Sequence, residues 1–128
     1  MNNKPSKPKI PIISGVYKIE NMKNHKCYIG SSNNVQRRLQ THKRELDAGS
    51  HNNLLLQKEY KEFGASSFSF IILIKDIPSD MLLAYEKCFM YKYDSVVRYK
   101  GYNQMFSTVN HRLFKQAYED LKNKNYFN

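Results

Sequence analysis

Two short β-favouring segments near the start of the chain constrain its fold more than any other feature. The first, Gly15 to Ile19, begins with Gly-Val-Tyr, and the second, Cys27 to Gly30, ends with Tyr-Ile-Gly, so their tyrosines stand eleven residues apart. The stretch from Asn21 to Lys26 between them is polar turn material. Two such segments joined by a turn predict a β-hairpin, and the loop is too long for turn chemistry alone to set its register.

Downstream of the hairpin the chain alternates between helical and extended patterns. Apolar residues recur at helical spacing, and capping residues or glycines mark where the helices begin and end. The predicted order is strand, strand, helix, helix, strand, helix, with a further helix near the C-terminus. The predicted bounds are Val35 to about Gly49, Asn52 or Asn53 to Gly64, Phe68 to Ile74 for the strand, Pro78 to about Tyr93, and Val109 to Lys122.

The segment from Phe68 to Ile74 is a nearly unbroken run of β-branched and aromatic residues. Such a run fits a strand that is covered on both faces. We therefore predict that it is the central strand of the sheet.

The charge of the chain favours a polyanionic partner. A length of 128 residues fits one domain, and 21 lysines and arginines against 11 acidic residues give a formal charge of +10. Nucleic acid is the leading interpretation, although a merely soluble basic protein would have the same composition. The segment Met1 to Pro11, with three lysines and three prolines, predicts an extended basic arm that follows phosphates.

The cysteines and the hydropathy pattern argue against several other classes. Cys27 and Cys88 stand far apart with no CxxC pair, so structural zinc is not expected and both are predicted to be free and buried. No segment has the apolar length of a membrane span or the hydrophobic core of a signal peptide. We expect an intracellular protein.

Tyr17 and Tyr28 are the first candidates for chemistry. A phenol can donate, accept or, if perturbed, take a proton, and the neighbouring glycines, Gly15 and Gly30, let a backbone or ligand approach closely. The alternative is that both tyrosines are ordinary cross-strand aromatics.

Arg38 and His42 lie one turn apart on the first predicted helix and therefore share a face. A guanidinium and an imidazole beside each other suit an anionic phosphate. Taken singly, Arg38 also fits a solvated charge and His42 a boundary histidine.

Glu86 stands among apolar residues on the third predicted helix. Leu82, Phe89 and Tyr93 are spaced from Glu86 as residues on one side of a helix are, so Glu86 is predicted to lie on the inward face. A buried carboxylate needs a cation, which is either a metal ion or a basic side chain. Mg²⁺ needs only one or two protein carboxylates beside water and phosphate oxygens. An ion pair between Glu86 and Arg38 is the alternative.

Taken together, these motifs resemble the GIY-YIG endonuclease domain, especially that of phage and intron-encoded homing endonucleases. The resemblance spans about Ser14 to Phe106 and rests on five elements in order: Gly-Val-Tyr, Tyr-Ile-Gly, the stretch Ser-Ser-Asn-Asn-Val-Gln-Arg-Arg-Leu-Gln-Thr-His, a glutamate in a late helix, and Gly-Tyr-Asn. The only departure in the first element is Val16, where the family name has isoleucine, and it leaves the tyrosine intact.

The resemblance implies a divalent-metal-dependent DNA endonuclease. Tyr17 would activate or orient the attacking water, Tyr28 would touch the water network or the phosphate, and Arg38 would stabilise the phosphate charge. His42 would assist near the leaving group, and Glu86 would be the single protein ligand of Mg²⁺, with Mn²⁺ as the alternative ion. Duplex DNA is the expected partner, and a transient dimer is a possible route to double-strand cutting.

The resemblance also implies supporting residues and a fold. Gly15, Gly30, His51 and Asn103 would support the site, with Asn103 in the closing Gly-Tyr-Asn. The implied fold is an α/β (α+β) domain with a small three-stranded antiparallel sheet flanked by helices. Its predicted organisation is a basic arm over 1–13, the nuclease domain over 14–106, and a C-terminal helix and tail over 107–128. The arm and the C-terminal helix would add weak DNA contacts.

Two other functions remain open from the sequence. A non-catalytic nucleic-acid-binding module on the same fold would bind in a salt-sensitive way without cutting. A basic structural protein would lack affinity for DNA even at low salt.

Overall fold

A computed structural model describes residues 11–98 and 100–127 of the chain. The predicted basic arm falls almost wholly on residues 1–10 and so lies outside the described residues. Within them, no helix is long and apolar enough to cross a membrane.

The sheet has three antiparallel strands in the order β2-β1-β3. The hairpin is present as predicted, and its register places Tyr17 opposite Gly30 and Ile19 opposite Tyr28. Directly opposed residues share a face of an antiparallel pair, so both tyrosines lie on one face of the hairpin. The strands are β1 Gly15–Asn21, β2 Cys27–Ser32 and β3 Phe68–Lys75.

The prediction that Phe68 to Ile74 forms the central strand is wrong. β1 pairs with both other strands and is buried along nearly its whole length, whereas β3 is an edge strand on which Ile71 is 41% exposed. The apolar run arose because both faces of β3 meet apolar side chains, with Phe70 and Ile72 on one side and Leu73 and Ile74 on the other. Coverage of both faces therefore does not require a central position in the sheet.

The four predicted helices are present, and side chains cap three of them at the N-terminus. Asn34, Asn53 and Asn110 each accept a hydrogen bond from a backbone N–H in the first helical turn. The first helix ends at Gly49, whose φ of 75° is the left-handed conformation that favours glycine. The helices are α1 Val35–Ala48, α2 Leu54–Phe63, α3 Leu82–Lys92, which a 3₁₀ turn Ser79–Met81 precedes, and α4 His111–Asn123.

Apolar clusters cover both faces of the sheet. The neighbouring β1 residues Val16 and Tyr17 belong to different clusters, as the alternation of a strand requires. One cluster joins the sheet to α3 and α4, and the other joins it to α1 and α2. The C-terminal helix closes the first cluster with Ala117 and Leu121, which are fully buried. The implied fold, a small antiparallel sheet flanked by helices, is confirmed.

Both cysteines are free and buried, as predicted. Burial is the main cause that raises the pKa of the Cys27 thiol to about 12 and that of Cys88 to about 11. Each therefore acts as a small apolar side chain of the core.

Candidate active site

An open cleft of about 490 Å³ lies between α1, α3 and the segment that follows Asn103. The polar residues predicted from the sequence meet here from five different parts of the chain. Six of them line the cleft, namely Tyr28, Arg38, His42, His51, Glu86 and Asn103. Tyr17 is 1% exposed and reaches the group through a hydrogen bond to His42.

The register of the hairpin explains why Gly30 stands opposite Tyr17. A Cβ atom on Gly30 would lie 2.3 Å from the hydroxyl oxygen of Tyr17 and 2.4 Å from its Cζ. The phenol ring therefore occupies the space that a side chain on Gly30 would take. Glycine at this position lets the tyrosine cross the neighbouring strand towards α1.

A chain of hydrogen bonds runs from Tyr17 into the protein. The Tyr17 hydroxyl lies 2.6 Å from Nε2 of His42, and Nδ1 of His42 lies 2.7 Å from Nε2 of His51. The backbone N–H of Asn53 donates to Nδ1 of His51 over 3.0 Å. Both ring nitrogens of both histidines are thus hydrogen-bonded.

Burial sets the protonation of this chain. It is the main cause that lowers the pKa of His42 to about 3, and the nearby charges of Arg38 and His51 act in the same direction. The pKa of His51 is lowered too, chiefly by burial. Burial and the neighbouring Tyr28 raise the pKa of the Tyr17 phenol, although the Arg38 guanidinium opposes the shift. Both imidazoles are therefore neutral at pH 7.

Arg38 and Tyr28 form the part of the site that faces solvent. Arg38 is exposed on α1, and its charge acts on Tyr17 and Tyr28 by lowering the pKa of each phenol. Burial, together with the negative charge of Glu86, outweighs this effect and raises the pKa of Tyr28. An exposed guanidinium beside two phenols offers a positive charge and hydroxyl groups to an anion in the cleft.

Glu86 is half-buried and has no ion-pair partner among the described residues. Its Oε1 accepts a hydrogen bond from the Ser31 hydroxyl over 3.1 Å, and its Oε2 accepts one from Ser107. Burial raises its pKa, and the two serines oppose that shift. The alternative ion pair between Glu86 and Arg38 is not formed, because the carboxylate turns to the serines and to the cleft.

Asn103 ties the end of the motif to the hairpin. Its Oδ1 accepts from the backbone N–H of Ile29 over 2.8 Å, and its Nδ2 donates to the carbonyl oxygen of Ile29 over 2.9 Å. The amide side chain thus pairs with the free edge of β2, next to Tyr28. Gly15 acts further away, because a Cβ atom there would lie 2.1 Å from the carbonyl oxygen of Ile74 and would disrupt the pairing of β1 with β3.

Three residues that hold the site together were not predicted to be part of it. Ser31 and Ser107 orient the Glu86 carboxylate, and Asn53 both caps α2 and binds His51. Ser31 directly follows the Tyr-Ile-Gly motif, and this position could have indicated that its side chain lies near the site. Ser107 belongs to no helix or strand, and therefore no periodicity marked it.

The donor set fits a divalent cation with few protein ligands. No group of three or more histidines, cysteines and acidic residues that could hold a metal ion occurs in the described part of the chain. The Glu86 carboxylate, which is partly desolvated and has no cationic partner among these residues, nevertheless opens into a cleft that also holds Arg38. Mg²⁺ suits this arrangement because it retains waters and takes oxygen ligands from a substrate phosphate.

The chain has recognisable relatives. The sequence-family model of the GIY-YIG catalytic domain matches residues 13–103 of this chain. Intron-associated endonuclease 1 of Enterobacteria phage T4 is 32% identical over 92 residues, which cover 70% of this chain and 36% of that protein. The chain therefore matches little more than a third of that relative's length.

Solved structures share the fold. The catalytic domain of the homing endonuclease I-TevI is 28% identical and has a TM-score of 0.62, with 69% of this chain and 96% of that chain covered. A mutant of the same catalytic domain is 27% identical with a TM-score of 0.66, and the match covers 77% of this chain and 99% of that chain.

Proposed function

The chain belongs to the GIY-YIG catalytic-domain family, and we propose that it is a divalent-metal-dependent endonuclease that hydrolyses phosphodiester bonds of DNA. One observation carries the proposal: Glu86, a carboxylate without a cationic partner among the described residues, shares a cleft with Arg38 and the tyrosine pair. The names of the relatives, which describe endonucleases, support the same reaction class.

Arg38 would bind the scissile phosphate. Its guanidinium is exposed at the cleft and provides a fixed positive charge where negative charge grows in the transition state. Tyr28, which lines the same cleft, would donate a hydrogen bond to the phosphate or to its water.

Tyr17 would act on the attacking water. It is the phenol that β1 and Gly30 hold beside Arg38, and the Arg38 charge partly offsets the burial that raises the pKa of this phenol. His42 is better suited to position Tyr17 than to contact a leaving group, because both of its ring nitrogens are already hydrogen-bonded.

Glu86 would hold Mg²⁺, or Mn²⁺ in its place, with the carboxylate oriented by Ser31 and Ser107. The bound ion would supply Lewis-acid stabilisation of the phosphate and of the departing 3′-oxygen.

A plasmid assay tests the proposal. We expect the full chain to convert supercoiled plasmid to the nicked form with Mg²⁺ or Mn²⁺ and to leave it intact with EDTA. Glu86→Gln should reduce the rate by about 100-fold or more, because several kcal/mol of charge stabilisation depends on the ion it holds. Glu119→Gln removes an exposed carboxylate on α4 and should cut at the rate of the unmodified chain.

Two outcomes would reject the proposal. If duplex, single-stranded and branched DNA all stay intact with both metals but bind in a salt-sensitive way, the chain is a binding module. If the chain cuts DNA and Glu86→Gln does so equally well, the reaction belongs to another site. Since one site of this kind cuts one strand, nicked circles should precede linear DNA, and a dependence of linearisation on protein concentration would indicate pairing of two copies.

A further inference from the structure

The hydrogen-bond chain from Asn53 to Tyr17 has a fixed direction. It contains two imidazoles, each of which can carry its proton on either ring nitrogen, and a hydroxyl that can donate or accept. Only the group at the inner end, the backbone N–H of Asn53, has no such freedom, because it can only donate. The direction of the chain can therefore be read from that end outwards.

His51 accepts from Asn53 at Nδ1 over 3.0 Å, so that nitrogen carries no proton. The neutral ring must then carry its proton on Nε2, which lies 2.7 Å from Nδ1 of His42. In the opposite tautomer, an N–H of His51 would point at the N–H of Asn53. Two donors would then face each other at a site where His51 is 7% exposed and Asn53 is 8% exposed, with little water to relieve the conflict.

The proton position of His51 fixes that of His42. Since Nδ1 of His42 accepts from His51, its proton lies on Nε2, which is 2.6 Å from the Tyr17 oxygen. His42 therefore donates to Tyr17 and does not accept from it. The hydroxyl hydrogen of Tyr17 therefore takes no part in the hydrogen bonds that link Asn53, His51, His42 and Tyr17.

We propose that His51 and the backbone of Asn53 are positioning elements that lock His42 as a hydrogen-bond donor to Tyr17, so that Tyr17 exchanges its proton on the side away from His42. The tautomers of His42 and His51 do not depend on the proposed nuclease function, whereas the role of Tyr17 in cutting rests on it. The arrangement excludes an inward relay in which His42 takes the Tyr17 proton. A neutral acceptor at Nε2 of His42 would require the tautomers that Asn53 blocks.

The proton transfers follow from this direction. The Tyr17 hydroxyl takes the proton of the attacking water and at the same time gives its own proton to solvent on the side away from His42, because burial raises the pKa of this phenol and disfavours a free phenolate. The new bond from oxygen to phosphorus forms as the bond from phosphorus to the 3′-oxygen breaks, and the Nε2–H of His42 holds the Tyr17 oxygen in place. The departing oxygen takes a proton from solvent, and the two histidines keep their protons throughout.

Nitrogen NMR of the full chain tests the tautomers without DNA or metal. Long-range correlations between ring hydrogens and ¹⁵N in a histidine-labelled sample distinguish the protonated nitrogen from the unprotonated one. We expect His42 and His51 to carry their protons on Nε2, and the exposed His25 and His111 supply reference signals. A proton on Nδ1 of His42 or of His51 in the unmodified chain would overturn the inference, even if the chain cuts DNA.

A pair of substitutions tests the effect on Tyr17. His51→Gln keeps an N–H donor near the place of Nε2, whereas His51→Leu keeps bulk without a donor. We expect His42 to retain its Nε2 proton in the glutamine variant and to become a mixture of tautomers in the leucine variant. The leucine variant should also lower kcat for nicking about 10-fold with KM for DNA unchanged, and the glutamine variant should recover most of the loss.

The controls separate this inference from the proposed function. His111→Gln should alter neither the His42 signal nor kcat, because His111 is exposed on α4. If the leucine variant does not fold, the ¹⁵N measurement of the histidine tautomers in the unmodified chain decides whether the inference holds. If the protein has the expected tautomers but does not cut DNA, the proposed nuclease function is rejected and the positioning of His42 by His51 and Asn53 is retained. Equal kcat in both His51 variants would reject a catalytic role for this positioning.

Discussion

At the scale of single residues, the site depends on side chains that lost water and were not given an opposite charge. Among the described residues, Glu86 has two serine hydroxyls in place of a cation, and the neutral His42 has hydrogen bonds at both ring nitrogens in place of a second proton. The Glu86 carboxylate and the His42 ring are therefore each held in one orientation, and neither is neutralised by an ion pair that a ligand would have to break. This is the usual condition of groups in active sites, where burial shifts the pKa away from its ordinary value.

Ser107 should matter for metal affinity beyond its small size. Removing its hydroxyl with Ser107→Ala frees one oxygen of Glu86 from the orientation that the structure gives it. Loss of such an outer hydrogen bond weakens metal binding by about 10-fold or more, so the Mg²⁺ concentration for half-maximal nicking should rise accordingly. Thr108→Ala alters an exposed neighbour in the same cleft and should leave the Mg²⁺ dependence unchanged. Equal Mg²⁺ dependence in both variants would argue against a positioning role for Ser107.

His42 should make the fold sensitive to mild acid. Its pKa falls from 6.5 in the unfolded chain to about 3 in the folded chain, so the unfolded chain binds more protons between these values. The contribution to stability is complete above pH 6.5 and is lost as the pH falls towards about 3. The free energy of unfolding should drop by about 1.4 kcal/mol per pH unit in this window, and His51 should add to the slope.

Urea denaturation across this pH window measures the effect of His42. His42→Gln should flatten the slope, whereas His111→Gln, at an exposed position, should keep it. A slope that is identical in the unmodified chain and in His42→Gln would show that the buried imidazole is not the titrating group.

At the scale of elements, the hairpin sets the site through its register. The pairing of Tyr17 with Gly30 brings a large side chain and an empty position together, and the neighbouring pair of Ile19 with Tyr28 puts the second phenol on the same face. The rings of Tyr17 and Tyr28 lie 6.5 Å apart as a result. A shift by one residue would send one tyrosine to the opposite apolar cluster.

Gly30→Ala should therefore damage the site more than the sheet. The added methyl group would overlap the Tyr17 ring and force it away from His42. We expect a loss of about 1–3 kcal/mol in the free energy of unfolding, as for other overpacked cores, together with nearly complete loss of nicking. Ser69→Ala, at a sheet position whose side chain makes no hydrogen bond among the described residues, should change both quantities little. Full activity in Gly30→Ala would show that Tyr17 need not stay where the structure places it.

The sequence was informative where the pattern is local. The hairpin, the caps of the first two helices and the stop at Gly49 each depend on a few neighbouring residues, and they were predicted correctly. The edge position of β3 was not predicted, because an apolar run shows coverage and not strand order. Ser107 was missed for a related reason, since it meets Glu86 only after the chain has passed the end of α3 and turned back.

At the scale of the whole molecule, α4 completes one of the two apolar clusters. It lies outside the matched residues 13–103, yet Leu121 is fully buried and the hydroxyl of Tyr85 on α3 donates to Asp120. The division into a nuclease domain over 14–106 and a separate C-terminal segment stays a prediction. The packing shows that the helix belongs to the core in physical terms.

Leu121→Ala should destabilise the chain without altering its chemistry. A buried leucine replaced by alanine costs about 2–5 kcal/mol through lost burial and the cavity that remains. The melting temperature should fall, while the nicking rate measured well below it should match the unmodified chain, because Leu121 lies on the face of the sheet opposite Tyr17 and His42. Lys122→Ala, at an exposed position on the same helix, should leave both measurements unchanged. A slower rate in folded Leu121→Ala would mean that α4 affects the cleft.

The order in which the site residues occur along the chain bears on when the protein becomes active during synthesis. The phenols and Arg38 come from the first third of the sequence, but the carboxylate and the serine that orients it come from α3 and from the segment beyond it. A nascent chain shorter than about Ser107 therefore holds the phosphate-binding half of the cleft without the half proposed to hold the metal. Under the proposed function, cutting begins only after the segment that contains Ser107 has emerged from the ribosome.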